Sequence, residues 1–133
     1  QGLHLTADLY GCAGEAVLLL DAARIAALCH QEVLACGLTP VGERWVTFPS
    51  YQGRPSGVTG TVLLAESHLA LHTWPESASV TLDVYVCNFS GDNSDRARTL
   101  LARLIAAYAP AQQQCQELRR GCLDGAAAAQ ALT

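Results

Sequence analysis

Glu66, Ser67 and His68 stand side by side in "LLAESHLALHTWPE", with His72 four residues later and Glu76 four after that. A serine beside carboxylates and imidazoles has several possible uses. Ser67, His72 and Asp83 contain the types of an acyl-transfer triad. No G-x-S-x-G elbow accompanies them, which weakens that reading. His68 and His72 form an H-x-x-x-H pair, which on a helix would face one metal ion. The surrounding "HLALHTW" reads as strand and ends at Trp74-Pro75, which argues against a helical zinc pair. Taken one at a time, Ser67 suits a turn, His72 a hydrogen-bonded half-buried position, Glu76 a turn carboxylate, and Cys87 a small apolar packing residue.

The elements that must position these groups follow from periodicity. "HLTADLYGC" suits a first strand, and "EAVLLLDAARIAALCHQEVLAC" reads as one helix, Glu15 to Cys36, stopped by Gly37 and Pro40. Leu18, Ala22, Ile25, Cys29, Val33 and Cys36 share its apolar face, which makes both cysteines packing residues. "TPVGERWVTF" is a strand, Pro49 to Gly57 a Pro/Gly loop, and "VTGTVLLAE" and "HLALHTW" two strands meeting at Glu66-Ser67-His68. In "SVTLDVYVC", Val80, Leu82, Val84 and Val86 alternate with Thr81, Asp83, Tyr85 and Cys87, giving one core face and one polar, aromatic face. Asp92, Asn93 and Ser94 are candidate caps for a helix ending at Tyr108, with Ala97, Leu100, Leu101, Leu104 and Tyr108 as its stripe. "QQQCQELR" suits a polar edge strand, and the alanine-rich tail from Ala126 is expected to fray. The order predicts a single α+β domain over residues 1–133: a two-layer sandwich with an antiparallel sheet and helices on one face. The polar face of the fifth strand is either solvated or covered by a second sheet, which a chain this short would take from another subunit.

Composition narrows the chemistry. The 133 residues are half apolar, carry a net charge of −4, and include eight basic residues, all scattered arginines. Without a basic footprint, nucleic acid is not the expected partner. No window is long and apolar enough to predict a membrane span, and no secretory signal is visible. Six cysteines without C-x-x-C spacing read as free thiols of a cytoplasmic protein rather than a zinc site or a disulfide framework. The absence of lysine excludes a lysine Schiff base, and with it pyridoxal-phosphate catalysis.

The combination "GVTGTVLLAESHLALHTWPE" followed by "DVYVC" resembles the prokaryotic S-adenosylmethionine decarboxylase family, whose pattern runs G-V-S-G, a strand, E-S-H, I-H-T-W-P-E and D-V-F-x-C-G. The similarity spans about residues 3 to 110. It implies a zymogen that cuts itself at Glu66–Ser67 into a β chain, 1–66, and an α chain, 67–133. The Ser67 hydroxyl would attack the Glu66 carbonyl, and elimination and hydrolysis would leave a pyruvoyl group at Ser67. That group would form a Schiff base with the substrate and serve as cofactor without pyridoxal phosphate or metal. The resemblance further implies that His72 transfers a proton during processing, Thr59 supports processing, Cys87 is the general acid, and Glu76 contacts the substrate ribose. Trp45 and Phe48 match the aromatic positions near the adenine, with Tyr51 as an alternative platform. The family fold dimerises as an αββα sandwich, and the pathway implied is spermidine, hence polyamine, biosynthesis.

Three departures bear on substrate. The G-V-S-G serine is Thr59. The segment after Phe48 is about five residues longer than the family's and brings Arg54, a potential carboxylate partner. "ESASVT" replaces an aromatic-rich segment, and Asn88 replaces the glycine after Cys87. The readings therefore include the same chemistry on ornithine or arginine, a processing-dead regulatory homologue, and a zinc-binding module.

Overall fold

The computed structural model describes residues 1–89 and 91–121; Cys122 and the alanine-rich tail lie outside the described residues. Strand β1 (Gly2–Tyr10) is followed by a single turn of helix, α1 (Val17–Leu20), and by α2 (Ala22–Ala35). Then come β2 (Pro40–Thr47), β3 (Val58–Leu64), β4 (Ser67–Trp74), a 3₁₀ turn at Pro75–Ser77, β5 (Ser79–Cys87), α3 (Ser94–Tyr108) and β6 (Gln112–Arg120). The six strands form one antiparallel sheet in the order β2-β3-β4-β5-β1-β6.

The single helix expected over Glu15 to Cys36 is broken. Asp21 adopts extended backbone and its carboxylate accepts from the amides of Ala23 and Arg24, at 3.0 and 3.3 Å, capping α2. A short acidic side chain at this point gives the chain a better use for Asp21 than helix interior. The apolar stripe runs on across the break, with Leu18, Ile25, Cys29 and Val33 all buried. Asn93 takes the N-cap position of α3 without a side-chain cap bond; Asp92 supplies one instead, accepting from the Ser94 amide at 2.9 Å.

α2 and α3 cover one face of the sheet. Val80, Leu82, Val84 and Val86 of β5 are buried beneath them, with Ala97, Leu100, Leu104 and Tyr108 of α3. Each Val or Leu so buried contributes about 1.5–3 kcal/mol. Tyr108, Thr73 and Glu32 are paired inside the layer, while the buried Trp45 indole N–H has no hydrogen-bond partner among the described residues. The Tyr108 hydroxyl donates to the Leu18 carbonyl at 2.8 Å, and the Thr73 hydroxyl donates to Leu19 and accepts from the Val58 amide. Arg103 of α3 pairs with the mostly buried Glu32 of α2. Burial pushes the Cys29 thiol up to about 12, with the Glu43 and Glu32 charges adding to it, so it is a packing group.

The opposite face of the sheet is open. Thr81, Asp83, Tyr85 and Cys87 are half-buried there, as the alternation of β5 predicts. Among the described residues, no helix is long and apolar enough to cross a membrane.

Candidate active site

β3 and β4 are joined by the two-residue turn Ala65-Glu66, so Ser67 opens β4. Glu66 has φ +66°, the left-handed region that a non-glycine residue occupies at a cost of about 1–2 kcal/mol. Strain therefore sits on the residue whose carbonyl precedes Ser67. Across from it, Cys87 ends β5, and its N–H donates to Ser67 Oγ at 3.1 Å. Ser67, Glu66 and Cys87 form one group.

His72 belongs to a second group. It pairs with Thr59 in the β3–β4 register, and the Thr59 hydroxyl lies 2.5 Å from His72 Nδ1. The Trp74 ring stands 5.9 Å from the His72 ring. His72 and Trp74 line a cavity of about 620 Å³, together with Phe48, Tyr51, Arg54 and Glu76, among others. Phe48, Tyr51 and Trp74 expose 47%, 71% and 41% of their surface, a large apolar outlay for a small chain.

The inserted loop builds one wall of this cavity, and it is more ordered than a Pro/Gly loop suggests. Tyr51 and Arg54 exchange both backbone hydrogen bonds at 3.0 Å around Gln52-Gly53, whose φ values are +52° and +74°. That pair of positive angles fits the type I′ hairpin turn, usually signalled by Asn-Gly. The Phe48 amide closes the base of the loop on the Gly57 carbonyl at 3.0 Å.

Trp45 is placed elsewhere. It pairs with Gly60 of β3 and packs on the core; a Cβ on Gly60 would come within 1.9 Å of its ring. Among the described residues it does not line the aromatic cavity. The Ser67–His72–Asp83 triad is not assembled either. His72 is engaged by Thr59, while Asp83 Oδ1 lies between His4 Nε2 at 3.5 Å and His68 Nε2 at 3.8 Å. Among the described residues no cluster of three His, Cys, Asp or Glu side chains is placed to hold a metal ion. The His4–Asp83–His68 group, with Tyr85 and Arg120 against it, was not visible in sequence. Only the β1–β5 and β1–β6 registers bring His4 and Arg120 to it.

The two groups are far apart in one chain. Ser67 and His72 are five residues apart on the same strand, roughly 16 Å at about 3.3 Å per residue. Their parity also differs. Ser67 has the parity of buried Leu69 and Leu71, and exposed His72 has the other.

A sequence profile described as S-adenosylmethionine decarboxylase matches residues 3–121. The chain belongs to the S-adenosylmethionine decarboxylase family. Among curated relatives, the S-adenosylmethionine decarboxylase proenzyme of Picrophilus torridus is 36% identical over 120 residues, 90% of this chain and 84% of that protein. The proenzyme of Aquifex aeolicus is 37% identical over 123 residues, 92% of this chain and 83% of that one. The crystal structure of the Aquifex aeolicus adenosylmethionine decarboxylase superposes with a TM-score of 0.78 at 34% identity, covering 93% of each chain. This S-adenosylmethionine decarboxylase fold is the two-layer α+β sandwich that the strand and helix order predicts.

Proposed function

We propose that the chain is a self-processing, pyruvoyl-dependent decarboxylase of S-adenosylmethionine whose two groups of site residues complete each other across a homodimer. The observation that carries this is the separation of Ser67 and Cys87 from Thr59, His72 and Glu76. A proton acceptor works within hydrogen-bond reach, about 3 Å, so His72 cannot serve the Ser67 of its own chain. A second copy docked on the open sheet face, where His72 and Cys87 lie, supplies the missing acceptor at the end of β4 beside Cys87, giving the αββα arrangement and two equivalent sites.

The residues present fit the formation of a pyruvoyl group. Glu66 stores strain at the bond to be cut, and Ser67 presents a hydroxyl already aligned by the Cys87 amide. Cleavage there gives chains 1–66 and 67–133. In the tautomer this role needs, His72 Nδ1–H donates to the Thr59 hydroxyl oxygen, which leaves Nε2 to accept a proton. The pyruvoyl group supplies an electrophilic carbonyl that takes up an amine and accepts electrons as carbon dioxide leaves. Around it, Cys87 holds the proton to be returned to carbon. Phe48, Tyr51 and Trp74 provide the flat apolar surfaces an adenine needs, and Glu76 can accept both hydroxyls of a ribose. Ornithine or arginine would leave those three aromatics without a ring to cover. The free thiols suit a reducing compartment such as the cytoplasm, and the product would enter polyamine biosynthesis.

Carbon dioxide release from carboxyl-labelled S-adenosylmethionine, ornithine and arginine tests the substrate. Saturable release from the nucleoside alone is expected; release from ornithine or arginine alone refutes the assignment. Glu76→Gln should raise KM for the nucleoside without slowing self-cleavage.

A further inference from the structure

We propose that the backbone N–H of Cys87 positions the nucleophile of self-cleavage, and that Asn88 and Asn93 are the positioning residues that hold it there. The inference rests on Glu66–Ser67 being the bond that is cut.

The β4–β5 register ends at the pair His68 and Tyr85, so Cys87 lies beyond the last β4 residue with which β5 pairs. Its N–H has no ladder partner on that side and goes to Ser67 Oγ, at 3.1 Å. The peptide that follows is fastened on every side. The Asn88 amide donates to the Gln1 carbonyl at 2.7 Å. The Asn88 side chain spans from the end of β5 to the start of α3: its Oδ1 accepts from the Asn93 amide at 2.8 Å, and its Nδ2 donates to Ser94 Oγ at 3.1 Å. Asn93 returns the contact, donating from Nδ2 to the Cys87 carbonyl at 3.4 Å. The half-buried Asn88 thus satisfies an orphan amide at the helix start while fixing the strand end. A glycine or alanine at position 88 would make neither side-chain bond.

The chemistry gives this donor two uses. Ser67 Oγ attacks the Glu66 carbonyl carbon and gives its proton to a base. The Glu66–Ser67 C–N bond breaks as the nitrogen takes up a proton, leaving an ester from Glu66 to Oγ and a free amine on Ser67. Loss of the Ser67 Hα with cleavage of Cβ–Oγ releases Glu66 as a carboxylate that keeps Oγ. One water then replaces the nitrogen of the remaining enamine, giving ammonia and the ketone. No oxidant or reductant is consumed. Negative charge builds on Oγ when its proton leaves and again when it departs in the Glu66 carboxylate. In both steps a fixed N–H donor lowers the barrier. Before the first step, the hydrogen bond also holds the serine rotamer, leaving one lone pair for attack.

The test follows the first-order appearance of fragments 1–66 and 67–133 by mass in freshly synthesised full-length chain. Asn88→Ala and Asn93→Ala should slow cleavage, the former about 10-fold. Asn88→Asp keeps the acceptor for the Asn93 amide and replaces the Nδ2 donor with an oxygen that can accept from the Ser94 hydroxyl, and should restore the rate to within about 3-fold of wild type. A purely structural role would not be rescued in this order. An ester in place of the Val86–Cys87 amide deletes the donor without touching a side chain, and should slow cleavage at least about 10-fold. An ester chain that cuts at the wild-type rate overturns the proposal, even where an asparagine variant fails to fold. A wild-type chain that never cuts removes the cleavage assignment, and this inference with it.

Discussion

Mixing two inactive chains tests the division of the site between subunits. Ser67→Ala removes the nucleophile, and His72→Ala removes the proton acceptor about 16 Å away along β4. If the site is built in trans, a mixed dimer holds one complete site, formed by the Ser67 of the His72→Ala chain and the His72 of its partner. With equal amounts and free assortment, about half of the His72→Ala chains sit in mixed dimers. About half should therefore be cut, while the Ser67→Ala chains stay whole. Co-expression with two different affinity tags, followed by intact mass, reads each chain separately. No cleavage in tandem-purified mixed dimers would refute the reasoning, as would a lone His72→Ala chain cutting at the wild-type rate.

Three further outcomes follow from particular contacts. Thr59→Val keeps the β-branch but deletes the hydroxyl 2.5 Å from His72 Nδ1, so it should slow cleavage about 10-fold, while Thr59→Ser should not; equal rates for both would dismiss that hydrogen bond. Gly57→Ala places a Cβ 1.8 Å from the Thr73 carbonyl oxygen, a backbone atom that cannot swing away. It should cost about 1–3 kcal/mol or more in urea unfolding, and an unchanged midpoint would contradict the close approach. Burial raises the folded pKa of Cys29 from 9.0 to about 12, so its contribution is intact below pH 9 and is lost as pH rises toward 12. By pH 10.5 the loss reaches about 2 kcal/mol. Tyr108, raised by burial, adds to the loss above its usual 10.0. Cys29→Ala should flatten the fall in stability between pH 8 and 10.5; parallel falls in variant and wild type would refute the assignment.

Much of the sheet and α3 could be read from spacing, because buried strands and helices repeat their apolar residues at fixed periods. The alternation of Val80, Leu82, Val84 and Val86, and the α3 stripe ending at Tyr108, both describe what is buried. Three features escaped that logic. The break at Asp21 is hidden because the apolar stripe continues through it. Trp45 sits on the mostly exposed edge strand β2, whose weak alternation gave no face, so its place over Gly60 depends on register. The type I′ turn is carried by Gln52-Gly53, where a side chain without the usual left-handed preference adopts positive φ. The motif from Gly57 to Cys87 holds most of the residues proposed for the site. Its contiguity conceals their separation, because an extended strand carries neighbours in sequence quickly apart.

The central claim is that this chain cuts itself between Glu66 and Ser67. Its most direct test is the intact mass of the purified chain under denaturing conditions, before and after a carbonyl reagent. The 14.1 kDa chain should resolve into two pieces of roughly half that mass, with the reagent adding to the 67–133 fragment alone. A single uncut species, stable over days and unreactive toward the reagent, would contradict the account.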